Sequence, residues 1–285
     1  MTVVDRRVTP ARPDLAAAHL KGEVQAARFV VGRSMQVAAP LVDVRSAPAP
    51  DASLDTQALC GERVTVYEEE EGWAWGQLAD DGYVGYLAAA SLAPDVIAPT
   101  HRVETRATFV YPGPGMKLPP LATLPFGARV TVLGLSGDFA RISRGGFVFA
   151  RHLVAVDTHE PDFVAVAESM TGAPYLWGGR TPAGVDCSGL VQLSLAAAGV
   201  AAPRDTDMQA RDLGAPLPVT DDLDALRRGD LVFWKGHVGI MRDATTLLHA
   251  NGHHMLVASE RLADARARIA ANSFGAITTI RRLAW

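Results

Sequence analysis

Residues 173–190 read APYLWGGRTPAGVDCSGL and place Cys187, one of two cysteines in the chain, where a glycine-rich loop meets a predicted helix. A helix start leaves backbone N–H groups unpaired and carries a partial positive charge, so it favours thiolate over thiol. Free cysteine titrates at about 8.5, and such surroundings can lower this pKa by several units. The pattern predicts that Cys187 is a nucleophile, with Asp186 at the helix N-cap position. A buried, inert thiol is the alternative interpretation.

A cysteine nucleophile needs a base, and two histidines lie on predicted strands further along the chain. The runs LVFW (231–234) and HVGIM (237–241) read as two strands joined by a Lys-Gly turn, and TLLHA (246–250) reads as a third. Neighbouring antiparallel strands would bring His237 and His249 together. His237 would then take the thiol proton, and His249 would orient it through the other ring nitrogen. The spacing is equally compatible with two unrelated histidines on one sheet.

Six short motifs occur in an order that is more specific than any one of them. They are YLWGG (175–179), DCSGL (186–190), PRDTDMQ (203–209), GDLVFW (229–234), HVGIM (237–241) and LLHA (247–250). The series covers most of residues 160–285 and resembles the NlpC-type papain-fold cysteine peptidases that cut bacterial cell-wall peptides. The resemblance implies that Cys187 is the nucleophile, His237 the general base and His249 the polar third member.

The same resemblance gives a role to Tyr175, twelve residues before Cys187. It matches a family tyrosine near the oxyanion site, where its hydroxyl would stabilise the tetrahedral intermediate beside the backbone N–H of Cys187. Loss of one such donor typically costs about two or three orders of magnitude in rate. The alternative is an ordinary aromatic side chain that packs beside Trp177.

The region before the catalytic motifs contains an internal repeat. Residues 61–87 and 127–153 both begin Gly-x-Arg-Val-Thr-Val and both end with a glycine-aromatic-valine strand. Their alternating apolar residues and frequent turns favour small antiparallel barrels, and the pair resembles two bacterial SH3-like domains. The predicted fold class is therefore α+β, a papain-like cysteine peptidase domain preceded by two small all-β SH3-like barrels. The predicted segments are an N-terminal extension with a short helix after Pro13 (1–40), barrel 1 (41–97), barrel 2 (98–157) and the peptidase domain (158–285).

Composition narrows the possible partners and the compartment. The 285 residues are 48% hydrophobic and carry a net charge of −4, which disfavours nucleic acid and anionic membranes as partners. Two cysteines make no disulfide framework, and the histidines show no repeated metal-ligand spacing, so no metal is predicted. The N-terminus lacks the unbroken apolar run of a signal peptide, and no segment is long enough to span a membrane. These features predict a cytoplasmic protein; the oligomeric state is left open.

The two barrels admit two interpretations. They are either modules that bind cell-wall polymer, or barrel 1 packs against the peptidase and closes one end of its groove. Intracellular members of the resembled group combine two such barrels with the peptidase and act on short, released murein peptides. They cut after γ-D-glutamate and before the diamino acid, require a free N-terminal L-alanine and need no cofactor. The resemblance implies the same activity for this chain.

A free ammonium in a closed pocket needs a carboxylate and hydrogen-bond acceptors, because a buried unpaired charge costs several kcal/mol. Arg204 is the candidate to hold the glutamate α-carboxylate bidentately. From barrel 1 the resemblance indicates Glu62 and Tyr83, with Tyr86 as a substitute; ordinary barrel surface is the alternative. The candidate residues of the peptidase domain that would surround the ammonium are Asp186, Asp205, Ser188 and Thr206.

Three other functions compete with this hypothesis. One is different acyl chemistry on the same core, such as a peptidoglycan amidase or a lipid acyltransferase. Another is a cell-wall-binding protein built from the SH3-like modules, although the presence of Cys187, His237 and His249 counts against it. The third is a peptidase of ordinary proteins, which would need no pocket for an amine.

Overall fold

The computed structural model describes residues 4–220 and 223–284. The chain divides into two compact units, Met1–Val156 and Asp157–Trp285. The first unit is rich in β-sheet, and the second combines four α-helices with a six-stranded sheet. This arrangement agrees with the predicted α+β class.

The first unit contains seventeen strands and three single turns of 3₁₀ helix among the described residues. The strands are β1 (Leu15–Ala17), β2 (Arg28–Val30), β3 (Arg33–Val37), β4 (Leu41–Arg45), β5 (Leu54–Leu59), β6 (Arg63–Glu70), β7 (Trp73–Leu78), β8 (Val84–Ala88), β9 (Leu92–Ala93), β10 (His101–Val103), β11 (Ala107–Tyr111), β12 (Ala122–Pro125), β13 (Arg129–Val130), β14 (Val132–Ser136), β15 (Phe139–Ile142), β16 (Phe147–Phe149) and β17 (Leu153–Ala155). The 3₁₀ turns are Ala18–Leu20, Ala89–Ser91 and Ala150–His152.

Barrel 1 is a seven-stranded sheet with the order β5-β4-β8-β7-β6-β3-β9. Alternating side chains of these strands, such as Val42 and Val44 on β4, turn inward to form its core. The sheet begins at β3, ahead of the predicted start at residue 41. Met35 and Val37 of β3 lie in this core, so burial of apolar surface assigns the strand to the barrel.

The predicted helix after Pro13 is wrong. The chain there forms β1, which pairs in parallel with β2, and then one 3₁₀ turn at Ala18–Leu20. Leu15 is fully buried and packs with Trp75 and Val84 of barrel 1. Tertiary packing of this side chain therefore overrides the local helix propensity of the alanines that follow it.

Barrel 2 consists of a five-stranded sheet, order β12-β11-β16-β15-β14, and a three-stranded sheet, order β13-β10-β17. Its hydrophobic core includes the side chain of Cys60, which belongs to the turn after β5 of barrel 1. The carbonyl oxygen of Cys60 accepts a 2.8 Å hydrogen bond from the backbone N–H of Arg129. Gly61, with φ +85°, lies so close to Arg129 that a Cβ would be 2.4 Å from the Arg129 carbonyl oxygen. The two barrels therefore share packing within the first unit.

The second unit combines helices with a six-stranded antiparallel sheet and a two-stranded sheet, β18-β19. Its strands are β18 (Arg180–Thr181), β19 (Gly184–Val185), β20 (Ala215–Leu217), β21 (Leu231–Trp234), β22 (His237–Met241), β23 (Thr246–Asn251), β24 (Leu256–Arg261) and β25 (Thr279–Arg282). Its helices are α1 (Phe163–Ser169), α2 (Cys187–Ala197), α3 (Thr206–Asp212) and α4 (Leu262–Asn272). The main sheet has the order β20-β25-β21-β22-β23-β24. Helix α2 packs on β22 and β23, while α4 packs on β23 and β24.

The burial of side chains explains why the helices pack on the sheet. Every residue of β21 and β22 is buried, and ten of the eleven residues of α2 are buried, so the central strands and the helix are apolar over most of their surface. Few side chains in α2, β21 and β22 can therefore titrate, and Cys187 and His237 are among them. In the described part of the chain, no helix is both long and apolar enough to span a bilayer.

Candidate active site

Cys187 is the first residue of α2. Asp186 caps the helix, because its Oδ1 accepts a 2.7 Å hydrogen bond from the backbone N–H of Gly189. Gly189 cannot be replaced easily, since a Cβ there would lie 2.3 Å from the carbonyl oxygen of Gly179. The missing side chain of Gly189 in α2 thus lets the loop backbone at Gly179 pass close to the helix start. Cys187 is held at this junction, and the residue as a whole is 7% exposed.

His237 and His249 lie on neighbouring strands, β22 and β23. Nε2 of His237 is 2.8 Å from Nδ1 of His249, and the ring centroids are 5.1 Å apart. The His237 ring also stacks on Phe274 at 5.5 Å and contacts Trp234. Both histidines are buried. The structure therefore brings the two predicted imidazoles into direct hydrogen-bond contact.

The backbone connects Cys187 to the strand that carries His237. The backbone N–H groups of Val238, the residue after His237, and of Ser188 act on the thiol and lower the pKa of Cys187. Helix α2 packs directly on β22, so this contact joins two elements of the core. Cys187 therefore lies at the start of a helix that packs on β22, the strand that begins with His237.

Burial opposes the low thiol pKa that the helix start predicts. Desolvation, reinforced by the nearby Asp186 carboxylate, raises the pKa of Cys187 to about 12, although the N–H donors and Arg204 act the other way. Burial also lowers the pKa of His237 to about 3, with the neighbouring His249 and Arg268 acting in the same direction. Without a bound substrate, these pKa shifts favour a neutral thiol at Cys187 and a neutral imidazole at His237.

Tyr175 is held at its backbone by a bridge to Val185 and by an N–H bond to the carbonyl oxygen of Met255. Burial, then the proximity of Cys187 and Asp186, raises the pKa of its phenol above the ordinary tyrosine range. The hydroxyl therefore stays protonated and can donate a hydrogen bond. This is the state that stabilisation of an oxyanion requires.

A cavity of about 480 Å³ opens beside the histidines. Its wall contains Tyr175, His237 and His249 together with Trp177, Arg268 and Phe274. Trp177 is 66% exposed, so an aromatic surface at this cavity is accessible to solvent. The cavity has the size of a site for a small molecule or a short peptide.

Asp186 and Arg204, both predicted to contact substrate, pair with each other in the structure. The Arg204 guanidinium donates to both oxygens of Asp186, over 3.0 and 2.6 Å, and to Ser188 Oγ over 2.7 Å. Arg204 is only 1% exposed. Because the two predicted ligands of opposite charge neutralise each other in the interior, the pair supports the start of α2.

We expect the substitution Arg204→Met to lower the free energy of unfolding by about 3–5 kcal/mol, because it leaves the Asp186 carboxylate buried without its cation. Urea denaturation followed by circular dichroism measures this change. Arg211→Met is the matched control, since Arg211 pairs with Asp212 at the surface. That exposed pair should contribute less than about 1 kcal/mol. Equal losses in the two variants would contradict a supporting role for Arg204.

The remaining predicted binding residues occupy two different settings. Asp205 and Thr206 are half-buried at the start of α3. In the first unit, Tyr83 packs in the core of barrel 1 and Glu62 is 3% exposed, so neither is ordinary barrel surface. Tyr86, the predicted substitute, accepts a 2.9 Å hydrogen bond from Arg12.

Two site residues were not predicted from the sequence. Glu260 of β24 lies 2.8 Å from Nε2 of His249, and Arg268 of α4 forms an ion pair with Glu260. The ligand atoms of His249, His254 and Glu260 also lie within 4.8 Å of one another. Both oxygens of Glu260 already accept hydrogen bonds from Arg268, so a metal ion would have to displace that guanidinium. The donor set suits a hydrogen-bond chain better than a metal centre.

A cysteine at a helix start beside a histidine pair on an antiparallel sheet defines the class of papain-like cysteine peptidases. Residues 172–267 match the NlpC/P60 family, and residues 44–92 match the bacterial dipeptidyl-peptidase SH3 domain. The chain belongs to the NlpC/P60 family and is a cysteine peptidase.

Relatives with assigned names support the same grouping. The chain is 30% identical over 236 residues to the gamma-D-glutamyl-L-lysine dipeptidyl-peptidase of Bacillus subtilis, covering 73% of this chain and 76% of the relative. It is 26% identical over 205 residues to the Bacillus cereus protein of the same name, and the match covers 64% of this chain and 60% of that relative. The crystal structure of an NlpC/P60 family protein from Bacillus cereus shares the fold, with a TM-score of 0.72 and 19% identity over 87% of this chain and 99% of that one.

Proposed function

We propose that this peptidase hydrolyses the bond between γ-D-glutamate and the diamino acid in short murein peptides that have a free N-terminal L-alanine. The observation that carries the proposal is the similarity to a gamma-D-glutamyl-L-lysine dipeptidyl-peptidase over 73% of the chain. The unit Asp157–Trp285 is less than half of the chain, so this similarity extends into the barrels. Murein peptide degradation or recycling is the process that such an activity serves.

The site supports a cysteine mechanism in which no cofactor takes part. The Cys187 sulfur gives its proton to His237 as it attacks the γ-glutamyl carbonyl carbon. The resulting oxyanion accepts hydrogen bonds from the Tyr175 hydroxyl and the backbone. The His237 imidazolium then donates its proton to the leaving amine of the diamino acid. Water, deprotonated by His237, finally hydrolyses the thioester and releases L-Ala-γ-D-Glu.

Recognition of the free amine is proposed for residues near the nucleophile. Asp205 supplies a carboxylate and Thr206 a hydroxyl, and Asp186, which pairs with Arg204, is the second predicted carboxylate. Ser188 is the hydroxyl adjacent to the nucleophile and is part of the same buried network. Glu62 and Tyr83 of barrel 1 stay predicted substrate-binding residues on the strength of the resemblance.

Acetylation of the substrate amine should reduce turnover by at least about 100-fold, because a pocket built around an ammonium is left with an unpaired carboxylate. Mass spectrometry of the enzyme incubated with L-Ala-γ-D-Glu-meso-diaminopimelate and with its N-acetyl form measures this difference. Release of L-Ala-γ-D-Glu from the free peptide alone supports the proposal. Equal cleavage of both forms would contradict recognition of the amine but not the peptidase activity.

The same assay separates the competing activities. A peptidoglycan amidase would cut a glycan–alanine substrate and leave the short peptide intact. Cleavage of neither substrate would favour a binding function for the SH3-like modules. Action on released peptides in the cytoplasm is part of the proposal, and cell fractionation with an antibody to the natural protein tests it.

A further inference from the structure

A chain of hydrogen bonds continues from His237 through three further side chains. Nε2 of His237 is 2.8 Å from Nδ1 of His249, and Nε2 of His249 is 2.8 Å from Oε1 of Glu260. Arg268 donates to both oxygens of Glu260, each over 2.5 Å. The four groups come from β22, β23, β24 and α4, so the fold itself sets their order.

Glu260 can only accept hydrogen bonds in this chain. Burial raises its pKa, but the hydrogen bonds from Arg268 and His249 outweigh that effect and hold the pKa of Glu260 below the usual glutamate range. Glu260 is therefore a carboxylate at neutral pH, without a proton to donate. The two N–H donors of Arg268 also fix the direction in which its oxygens point.

Because Glu260 ends this series of hydrogen bonds as an acceptor, it determines which ring nitrogen of each neutral imidazole carries the proton. Nε2 of His249 must carry a hydrogen to donate to Glu260, so Nδ1 of His249 has a free lone pair. That lone pair accepts from Nε2 of His237, which must then carry the second hydrogen. Nδ1 of His237 is left unprotonated and able to act as a base.

We propose that Glu260, clamped by Arg268, is a positioning residue that holds both histidines in the tautomers that leave Nδ1 of His237 free to take the proton of Cys187. This inference rests on the proposed roles of Cys187 and His237. The proton moves from the cysteine sulfur to Nδ1, and Nε2 of His237 keeps its own. No proton passes to Glu260, whose contribution is orientation and tautomer selection.

The clamp also limits the charge that the histidines experience. A lone carboxylate next to His249 would favour a permanently charged imidazolium. Arg268 neutralises Glu260, so the acceptor keeps its direction while the pair has no net charge. Burial then keeps His237 neutral until the sulfur delivers its proton.

Glu260→Gln is the variant that tests the proposal, because it keeps the size of the side chain and adds an amide donor. An amide that donates to Nε2 of His249 shifts the hydrogen of that ring to Nδ1. His237 must then accept at Nε2 and carry its hydrogen on Nδ1, where it cannot act as a base. We expect kcat to fall about 10- to 100-fold, as for loss of other outer-shell partners, while KM stays within about twofold.

Glu168→Gln is the matched control. Glu168 of α1 also pairs with two arginines, Arg228 and Arg242, but lies outside the histidine chain. It should lower stability about as much as Glu260→Gln and leave kcat unchanged. Equal losses of kcat in the two variants would show a merely structural effect and would overturn the proposal.

Two further measurements require no substrate and so separate this inference from the proposed function. Iodoacetamide should alkylate Cys187 about 10-fold more slowly in Glu260→Gln than in the natural enzyme. ¹⁵N spectra of the imidazoles in the natural enzyme should show the hydrogen on Nε2 of both His237 and His249. A hydrogen on Nδ1 of His237 there would overturn the proposal, whether or not any variant folds and whichever peptide is cleaved.

Discussion

Cys187→Ala is expected to reduce hydrolysis of L-Ala-γ-D-Glu-meso-diaminopimelate by about 10⁵-fold or more, since removal of the nucleophile leaves only binding and oxyanion stabilisation. The thiol stands at the start of α2 with backbone donors from Val238 and Ser188 on its sulfur. The alanine variant should fold, because removal of a small and buried thiol costs little packing. Release of the dipeptide, followed by mass spectrometry, measures the loss.

The second cysteine of the chain provides the matched control. Cys60 is buried in the core of barrel 2, and burial raises its pKa to about 11. Cys60→Ala should therefore leave both turnover and alkylation at Cys187 within about twofold of the natural enzyme. Substantial turnover by Cys187→Ala would rule out the proposed nucleophile. Loss of turnover in Cys60→Ala alone would place the reactive thiol in the first unit.

His237→Ala is expected to lower kcat by about 10⁴-fold or more, because the buried thiol loses the group that accepts its proton. The effect should be large here, since burial raises the pKa of Cys187 to about 12 and disfavours spontaneous ionisation. Alkylation of Cys187 by iodoacetamide at pH 7 should slow in parallel. Stopped assays with the murein tripeptide measure kcat, and mass spectrometry measures the alkylated fraction.

His159→Ala serves as the control for that experiment. His159 is exposed and lies against Gly199, after the end of α2 that is remote from Cys187. Its removal should change neither kcat nor alkylation by more than about twofold. If His237→Ala alkylated as fast as the natural enzyme, the thiol would ionise without His237, and the proposed base would be incorrect.

The sequence motifs predicted the fold class and the family because they are local and occur in a fixed order. LVFW and HVGIM are continuous apolar runs, so two buried strands follow from composition alone. The hydrogen bond between His237 and His249 required only that β22 and β23 be neighbours. The local sequence pattern was sufficient to predict these contacts because the strands that follow each other in sequence are also adjacent in the sheet.

Features that depend on distant pairing were not predictable in this way. Glu260 reaches His249 through the pairing of β23 with β24, and its clamp Arg268 comes from α4. Arg204 and Asp186 are eighteen residues apart and meet only because α3 begins beside the start of α2. The sequence predicted a substrate contact for each of these two side chains, and it gave no sign that they pair with each other.

The expected thiolate at the helix start shows a different kind of limit. The partial charge of a helix end is a local property and can be read from the sequence, but desolvation depends on everything packed around the sulfur. Here desolvation prevails for Cys187. The proposed mechanism therefore depends more on His237 as the base than on the partial charge of the helix end.

Cys60 and Gly61 have a consequence for how such proteins can be recombined. The side chain of Cys60 fills part of the core of barrel 2, although Cys60 lies in the turn that follows β5 of barrel 1. Consider a chimaera that keeps this chain from residue 98 onward and takes its first barrel from another protein. Its barrel 2 would lack the Cys60 side chain in the core and the Cys60 carbonyl oxygen that accepts the hydrogen bond from the Arg129 N–H. The two barrels of the first unit should therefore be exchanged together when such proteins recombine or are engineered.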